Sequence, residues 1–408
     1  LKYIKLTLLF LISFSLFATF CWKPAVRLLV PDAAGFVRAA LAGDGGAFLA
    51  RDGTLLRLFT SPSGDIRLDT PLASFSPILI DALLAAEDRS FFSHGGFDLA
   101  AICRAAWDNL LERRVVSGAS TITQQVMRIS RPRPRTLAVK ISELFLAARL
   151  EQQMSKQEIL SAYLNLAPMA GNLRGGWAGA CLLFGREPAA LDLAQAATLA
   201  ALPQSPSRLN PWRPGGTKRL KARRNWVLSR MAKLNLADQK ACSAASRKPL
   251  GILPWKLPLV CPHFTDWMVA ETGTPTGRLV TTIDIDIQRR LESVLKSHRS
   301  RLARSGARQA AGLVIDAPSM SVLAMAGSQQ WSPETGGFNN GCTARRSGGS
   351  ILKPFLYALA LEKGFSASSV ISDTLQTFRT PQGDYLPVNA DRRSYGPITV
   401  RSALGNSL

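Results

Sequence analysis

Glu87-Asp88-Arg89-Ser90-Phe91-Phe92-Ser93-His94-Gly95-Gly96 gathers acids, an arginine, a histidine and flexible backbone directly behind an apolar run. A carboxylate serves as general base when a partly apolar wall raises its pKa toward the working pH. Ala85, Ala86, Phe91 and Phe92 can form such a wall around Glu87. An ordinary charged helix end reads the same way, so this stretch alone leaves both readings open. Just upstream, Leu79, Leu83, Leu84 and Ala86 recur at helical spacing from Pro77 onward.

Moving outward, the helical period continues over Leu99–Arg114, Leu137–Gln153 and Lys156–Leu166. Asp98 and Ser155 stand where helix caps belong, Gly171 to Gly176 interrupts as a glycine-rich loop, and Pro203, Pro206, Pro211 and Pro214 punctuate the far side. Residues 77–235 therefore predict an almost all-helical domain. Before it, residues 36–76 form a small β segment, because Phe48 to Leu56 sets two apolar runs around Asp52-Gly53. After it, residues 236–278 look like a linker. From 279 the texture becomes α/β: a strand at 279–283, a helix at 287–302, and a hairpin of 311–315 with 322–326 turning at Asp316 to Ser319.

A second polar stretch, Ser117-Gly118-Ala119-Ser120-Thr121-Ile122-Thr123-Gln124-Gln125, lies between Arg113 and Arg114 on one side and Arg128 and Arg131 on the other. Hydroxyls, amides and arginines together suit sugar or phosphate oxygens, and they equally suit a capped turn leading into a helix. Glu143 and Lys140 are three apart, so they share a helix face, either as a surface ion pair or as site groups. Much further on, Ser350-Ile351-Leu352-Lys353 follows Ser347-Gly348-Gly349 and leads into an apolar run. Serine with lysine one turn later brings an amine near a hydroxyl, where a neutral lysine can accept its proton.

The 408 residues carry 50 Lys+Arg against 28 Asp+Glu, a formal +22, with 47% apolar content. Wholesale disorder is excluded by that apolar share, and the charge favours polyanionic partners. Leu6 to Trp22 runs uncharged between Lys2, Lys5 and Lys23, Arg27. It reads as a signal anchor over residues 1–25 with the bulk of the chain outside the cytoplasm, a cleaved signal peptide being the alternative. Six cysteines lie scattered without metal-ligand spacing, as small apolar fillers. The basic run Lys218 to Arg224 is a solvated helix face or a lipid-headgroup contact rather than a nucleic-acid site.

Taken in order, the Glu87 stretch, Gly118-Ala119-Ser120-Thr121-Ile122-Thr123-Gln124-Gln125, the Lys140/Glu143 helix, Glu158-Ile159-Leu160-Ser161-Ala162-Tyr163-Leu164-Asn165 and Leu202-Pro203-Gln204-Ser205-Pro206 resemble the motifs of the glycosyltransferase family 51 domain of class A penicillin-binding proteins. Ser350 to Phe355 resembles the acyl-enzyme motif of their transpeptidase domain. The resemblance implies a multidomain chain: an N-terminal membrane anchor, a mainly α, lysozyme-like glycosyltransferase domain, then an incomplete α/β penicillin-binding transpeptidase domain over 279–408.

It also implies polymerisation of lipid II onto a growing glycan chain, with release of undecaprenyl pyrophosphate, at a bacterial inner membrane. Glu87 would be the base and Glu143 the second catalytic acid. Asp88, Arg89, Phe91, His94, Gly118, Ser120, Thr121, Gln124, Gln125, Arg128 and Lys140 would bind substrate, His94 also as scaffold for the Glu87 loop. A divalent metal, magnesium or manganese, is a candidate cofactor positioned by Glu143. Membrane lipid and other cell-wall synthesis proteins are candidate partners.

Ser350 and Lys353 would be nucleophile and base of the transpeptidase, whose Lys-Thr-Gly motif is not found, so cross-linking is not expected. Val139 stands where many relatives carry arginine, a loss of positive charge at the pyrophosphate. Two other readings remain open: a glycan-cleaving enzyme, since paired carboxylates also cleave glycosides, and a non-enzymatic cationic membrane scaffold.

Overall fold

The computed structural model describes residues 22–111 and 120–408. The uncharged N-terminal run falls almost wholly outside them, as do Arg113, Arg114 and Gly118. Among the described residues no helix is long and apolar enough to cross a membrane. The chain divides into two compact units, one up to Cys342 and one of Thr343–Leu408.

The first unit opens with α1 (22–29) and α2 (Ala33–Leu41), whose first amides, Ala33 N and Ala34 N, donate to the Gln153 Oε1 at 3.0 and 3.1 Å. Strands β1 (Gly46–Leu49) and β2 (Leu55–Phe59) form the expected antiparallel hairpin, closing through Ala50 N to Thr54 O with Gly53 at φ +87°. Then follow α3 (Pro77–Glu87), α4 (Leu99–Leu111), α5 (Ile122–Ser130), α6 (Leu137–Gln153), α7 (Lys156–Leu166), α8 (Gly175–Phe184), α9 (Leu193–Ala201), α10 (Gly216–Lys233), α11 (Gln239–Arg247) and α12 (Pro262–Thr272).

Caps set most of these boundaries. Pro77 opens α3 at a position where no amide is needed. Asp98 Oδ1 accepts from Ala101 N at 2.8 Å. The Thr121 and Thr136 hydroxyls accept from the third residue of α5 and α6, and Ser155 with Glu158 forms a capping box on α7.

The stretch 236–278 is not a plain linker, since it holds α11 and α12. α11 buries Cys242 and Ala245 in the core of the helical domain. Arg224, fully buried, donates to the carbonyls of Ser246 and Lys248 at its end.

A third strand, β3 (Gly277–Val280), pairs in parallel with β1, giving the order β2-β1-β3. Successive residues of a strand point to opposite faces, and β1 is buried on both. Ala47 and Leu49 enter the core of the helical domain, while Phe48 and Ala50 enter a second core with Leu56, Phe264, Ile283 and Met325. The same unit continues with α13 (Ile285–Arg304) and the antiparallel hairpin β4 (Gly312–Asp316) with β5 (Ser321–Ala326).

The second unit contains α14 (Lys353–Glu362), β6 (Val370–Asp373), β7 (Phe378–Thr380), β8 (Gly383–Tyr385), β9 (Gly396–Thr399) and α15 (Val400–Asn406). β6 pairs with β9 and β7 with β8, both antiparallel. Ser350 sits in a 3-10 turn ahead of α14, with Gly349 at φ +51°. Lys353 opens α14, and its amine donates to the Ser407 carbonyl, with the Ser407 hydroxyl at 3.4 Å.

Candidate active site

Glu87 is the last residue of α3 and opens into a cleft of about 1580 Å³. Glu143, Arg89, Ser120, Gln125, Arg128 and Lys140 line the same cleft, so the structure brings together seven of the residues singled out in sequence.

The Glu87 carboxylate has two distinct oxygens. Oε2 accepts from Gln125 Nε2 at 2.7 Å, and Gln125 Oε1 in turn accepts from the Tyr163 hydroxyl at 3.2 Å. That second bond fixes the amide so that its NH2 faces the acid. Tyr163 is fully buried beside Glu87, which holds its pKa well above the ordinary tyrosine value and keeps it a donor. Oε1 is shielded from solvent and has no hydrogen-bond partner among the described residues. Burial pushes the Glu87 pKa up, against the Gln125 hydrogen bond and the charges of Arg223 and Arg128, with Asp88 adding to the rise.

Glu143, half-buried on α6, is also raised by burial, against Arg128, Lys140 and Arg135. Arg135 belongs to the Pro132–Thr136 segment that lines the cleft, and its charge acts on Glu143. The charged neighbours of Glu143 are therefore cations. Among the described residues no three His, Cys, Asp or Glu side chains gather as a metal ion requires. The cations beside Glu143 suit an anion.

Asp88, Phe91, Thr121 and Gln124 are buried behind the residues that line the cleft and support its wall. Asp88 Oδ2 accepts from His94 Nε2 and from Ile122 N, each at 3.0 Å, the latter at the start of α5 where the helix dipole favours an anion. His94 Nδ1 accepts from Gly96 N at 3.3 Å, which leaves the proton on Nε2. Thr121 Oγ1 donates to the Gly96 carbonyl at 2.7 Å. The loop after Glu87 is thus tied to the helix that carries Gln125 and Arg128, with His94 bridging Asp88 and Gly96 within it. Phe91 lies under the Lys156 ammonium at 4.4 Å, and Lys156 pairs with Glu151 at 2.7 Å.

Sequence reading missed the α10 contribution. Arg223, Trp226 and Arg230 line the cleft, and Arg224 is buried, so the run 218–224 is not simply a solvated or lipid-facing face. The signal was available as the 223, 226, 230 spacing, one helix face.

Residues 53–232 match the Transglycosylase family model, and residues 310–408 match the Penicillin binding protein transpeptidase domain. A transglycosylase domain followed by a penicillin-binding transpeptidase domain defines the class A penicillin-binding proteins, and this chain belongs to that family. It is 37% identical to penicillin-binding protein 1C of Escherichia coli strain K12 over 361 residues, which cover 88% of this chain and 46% of that protein. To penicillin-binding protein 1B of the same strain it is 32% identical over 385 residues, 88% and 45% of the two chains. The Ser-Gly-Ala-Ser, Ala167-Pro168 and Pro206-Ser207-Arg208-Leu209 forms in the sequence resemble the 1C type. The crystal structure of penicillin-binding protein 1A from Haemophilus influenzae aligns over 90% of this chain and 60% of that one, at 19% identity and a TM-score of 0.41. The chain spans about half the length of the curated relatives it matches.

Proposed function

We propose that the cleft is a peptidoglycan glycosyltransferase site that joins lipid II units into glycan strands and releases undecaprenyl pyrophosphate. The observation that carries this reading is the Glu87 carboxylate: one oxygen held by Gln125, the other shielded and unpartnered, in a cleft walled by cations. Oε1 would accept the proton of the acceptor N-acetylglucosamine 4-hydroxyl. As that O–H bond breaks, the oxygen attacks C1 of the donor N-acetylmuramic acid from the face opposite the pyrophosphate, and the C1–O bond to the pyrophosphate breaks with inversion. Arg128, Lys140 and Arg135 would neutralise the leaving charge, which develops mainly in the transition state. Glu143 would hold these cations in place, and no step draws on a metal.

The cationic wall favours transfer over glycan cleavage, because hydrolysis of a glycan releases no anion. For the rest of the chain, we infer an N-terminal membrane anchor with the catalytic domains in the periplasm, bound to membrane lipid and to other cell-wall synthesis proteins. Ser350 and Lys353 keep their proposed acyl-enzyme roles, and the polymerising reaction does not use them.

Product analysis tests the reaction class. Incubated with labelled lipid II, the chain should yield glycan strands and polyprenyl pyrophosphate in step with each bond formed. New reducing ends generated from preformed glycan, without polyprenyl pyrophosphate, would instead mark a glycan-cleaving enzyme.

A further inference from the structure

Glu87 and Tyr163 each lie 38 residues from Gln125, one before it and one after it, and both meet its side-chain amide. Gln125 Nε2 donates to Glu87 Oε2 at 2.7 Å, and Gln125 Oε1 accepts from the Tyr163 hydroxyl at 3.2 Å. Gln125 lines the cleft, whereas Tyr163 is fully buried behind it. The phenol sits on a fixed element. A capping box of Ser155 and Glu158 starts α7, and near its end Asn165 exchanges two hydrogen bonds of 3.0 Å with the Thr70 backbone. Tyr163 takes no part in the proton transfer itself.

An amide can sit two ways round. With its NH2 toward Glu87 it donates to the carboxylate; turned over, it sets its carbonyl against Glu87, which suits only the protonated acid. The observed bonds run head to tail, phenol O–H to amide carbonyl and amide N–H to carboxylate. Donors in such a row polarise one another, and each turns its positive end toward the charge on Glu87. Removing the phenol hydroxyl takes away the first member of the row and leaves the amide carbonyl buried without a partner. The loss falls on the ionised form of Glu87, because the protonated acid is served by the amide either way round.

Resting on the transferase reading above, we propose that Tyr163 is a positioning residue for the base: it holds the Gln125 amide in its donating orientation, which favours ionised Glu87 and leaves Oε1 free for the acceptor hydroxyl. The charged groups around Glu87 are Arg223 of α10, Arg128 of α5 and the adjacent Asp88, and those around Tyr163 are Glu87, Arg128 and Asp88. Tyr163→Phe alters none of these charges. A change in the proton affinity of Glu87 in that variant therefore reports on the amide.

Infrared difference spectra, wild type minus Glu87→Gln, isolate the carboxylic C=O stretch of residue 87 and follow its loss as pH rises. Measured against its own Glu87→Gln partner, Tyr163→Phe should lose that band at higher pH than wild type. Tyr163→3-fluorotyrosine, a stronger donor of nearly the same shape, should lose it at lower pH, and it keeps the test open where the phenylalanine variant fails to fold. On a Gln125→Ala background neither change at residue 163 should move the band further. A band that stays put in both Tyr163 variants, or that moves as far without Gln125, overturns the positioning role. This titration needs no turnover, so it reads out even if the chain polymerises nothing.

In polymerisation, Tyr163→Phe should lower kcat about tenfold, the worth of one buried hydrogen bond. KM for lipid II should be unchanged, because Tyr163 lies behind the cleft wall. The acid limb of the rate should move to higher pH together with the infrared band. A fall in kcat and in melting temperature with limb and band unmoved would make Tyr163 a packing residue and overturn the proposal.

Discussion

Glu87→Gln should slow glycan polymerisation by about 10²- to 10⁴-fold, the range that a positioned proton acceptor contributes, while leaving the fold intact. Glutamine keeps the shape of the side chain and its carbonyl can still accept from Gln125 Nε2, so the hydrogen bond that seats residue 87 survives. What disappears is the oxygen that can take a proton. The melting temperature should not fall, because the substitution removes a buried carboxylate whose Oε1 has no partner. The sign follows from linkage: the pKa of Glu87 is raised in the folded chain, so the proton is held more tightly there than in the unfolded one. Ionising it in the folded chain therefore lowers stability, and that cost grows as pH rises through the folded pKa. Polymerisation rate and thermal melting, measured on the same preparation, check both halves. A variant that is inactive and also strongly destabilised would instead give residue 87 a structural role.

Gly96→Ala should destabilise the chain by about 2–5 kcal/mol, summing the left-handed backbone penalty and overpacking against a fixed neighbour. Gly96 has φ +101°, and a Cβ there would stand 2.7 Å from the carbonyl carbon and oxygen of Ala147 in α6. Backbone in the middle of a helix cannot give way as a side chain can. The damage reaches the site because Gly96 N donates to His94, whose other ring nitrogen pairs with Asp88, and Gly96 O accepts from Thr121 at the cap of α5. Chemical denaturation should show the loss, and activity should fall with it. Gly95→Ala next door meets nothing within 4 Å and should be close to neutral on both measures.

The helical domain was legible because its boundaries are written locally. Ser155 with Glu158, Asp98, and the Asp52-Gly53 turn each act within a few residues of themselves, and each is found in the structure. The two acids and their cations were legible as motifs in order. Residues acting through space were not. β3 joins β1 across more than two hundred residues, and only the unbroken apolar run Ala47 to Ala50, buried on both faces, hinted that β1 had neighbours on two sides. Whether a polar residue lines a cleft or braces its wall depends on tertiary packing: Gln125 meets Glu87 while the adjacent Gln124 is buried behind it. The α10 arginines looked like any solvated basic run until Arg230 was found on Ala85 O and Arg223 beside Glu87.

The assignment of Glu87 as proton acceptor is tested most directly by the pH profile of polymerisation at lipid II concentrations below KM, where the acid limb reports the free enzyme. The limb should lie above the ordinary carboxylate range, because burial raises Glu87. Arg223→Gln removes a cation that lowers the Glu87 pKa, so the limb should move to higher pH; Arg135→Gln, whose charge acts on Glu143, should leave it in place. A limb that moves with Arg135→Gln and ignores Arg223→Gln would make Glu143 the titrating base and contradict the mechanism.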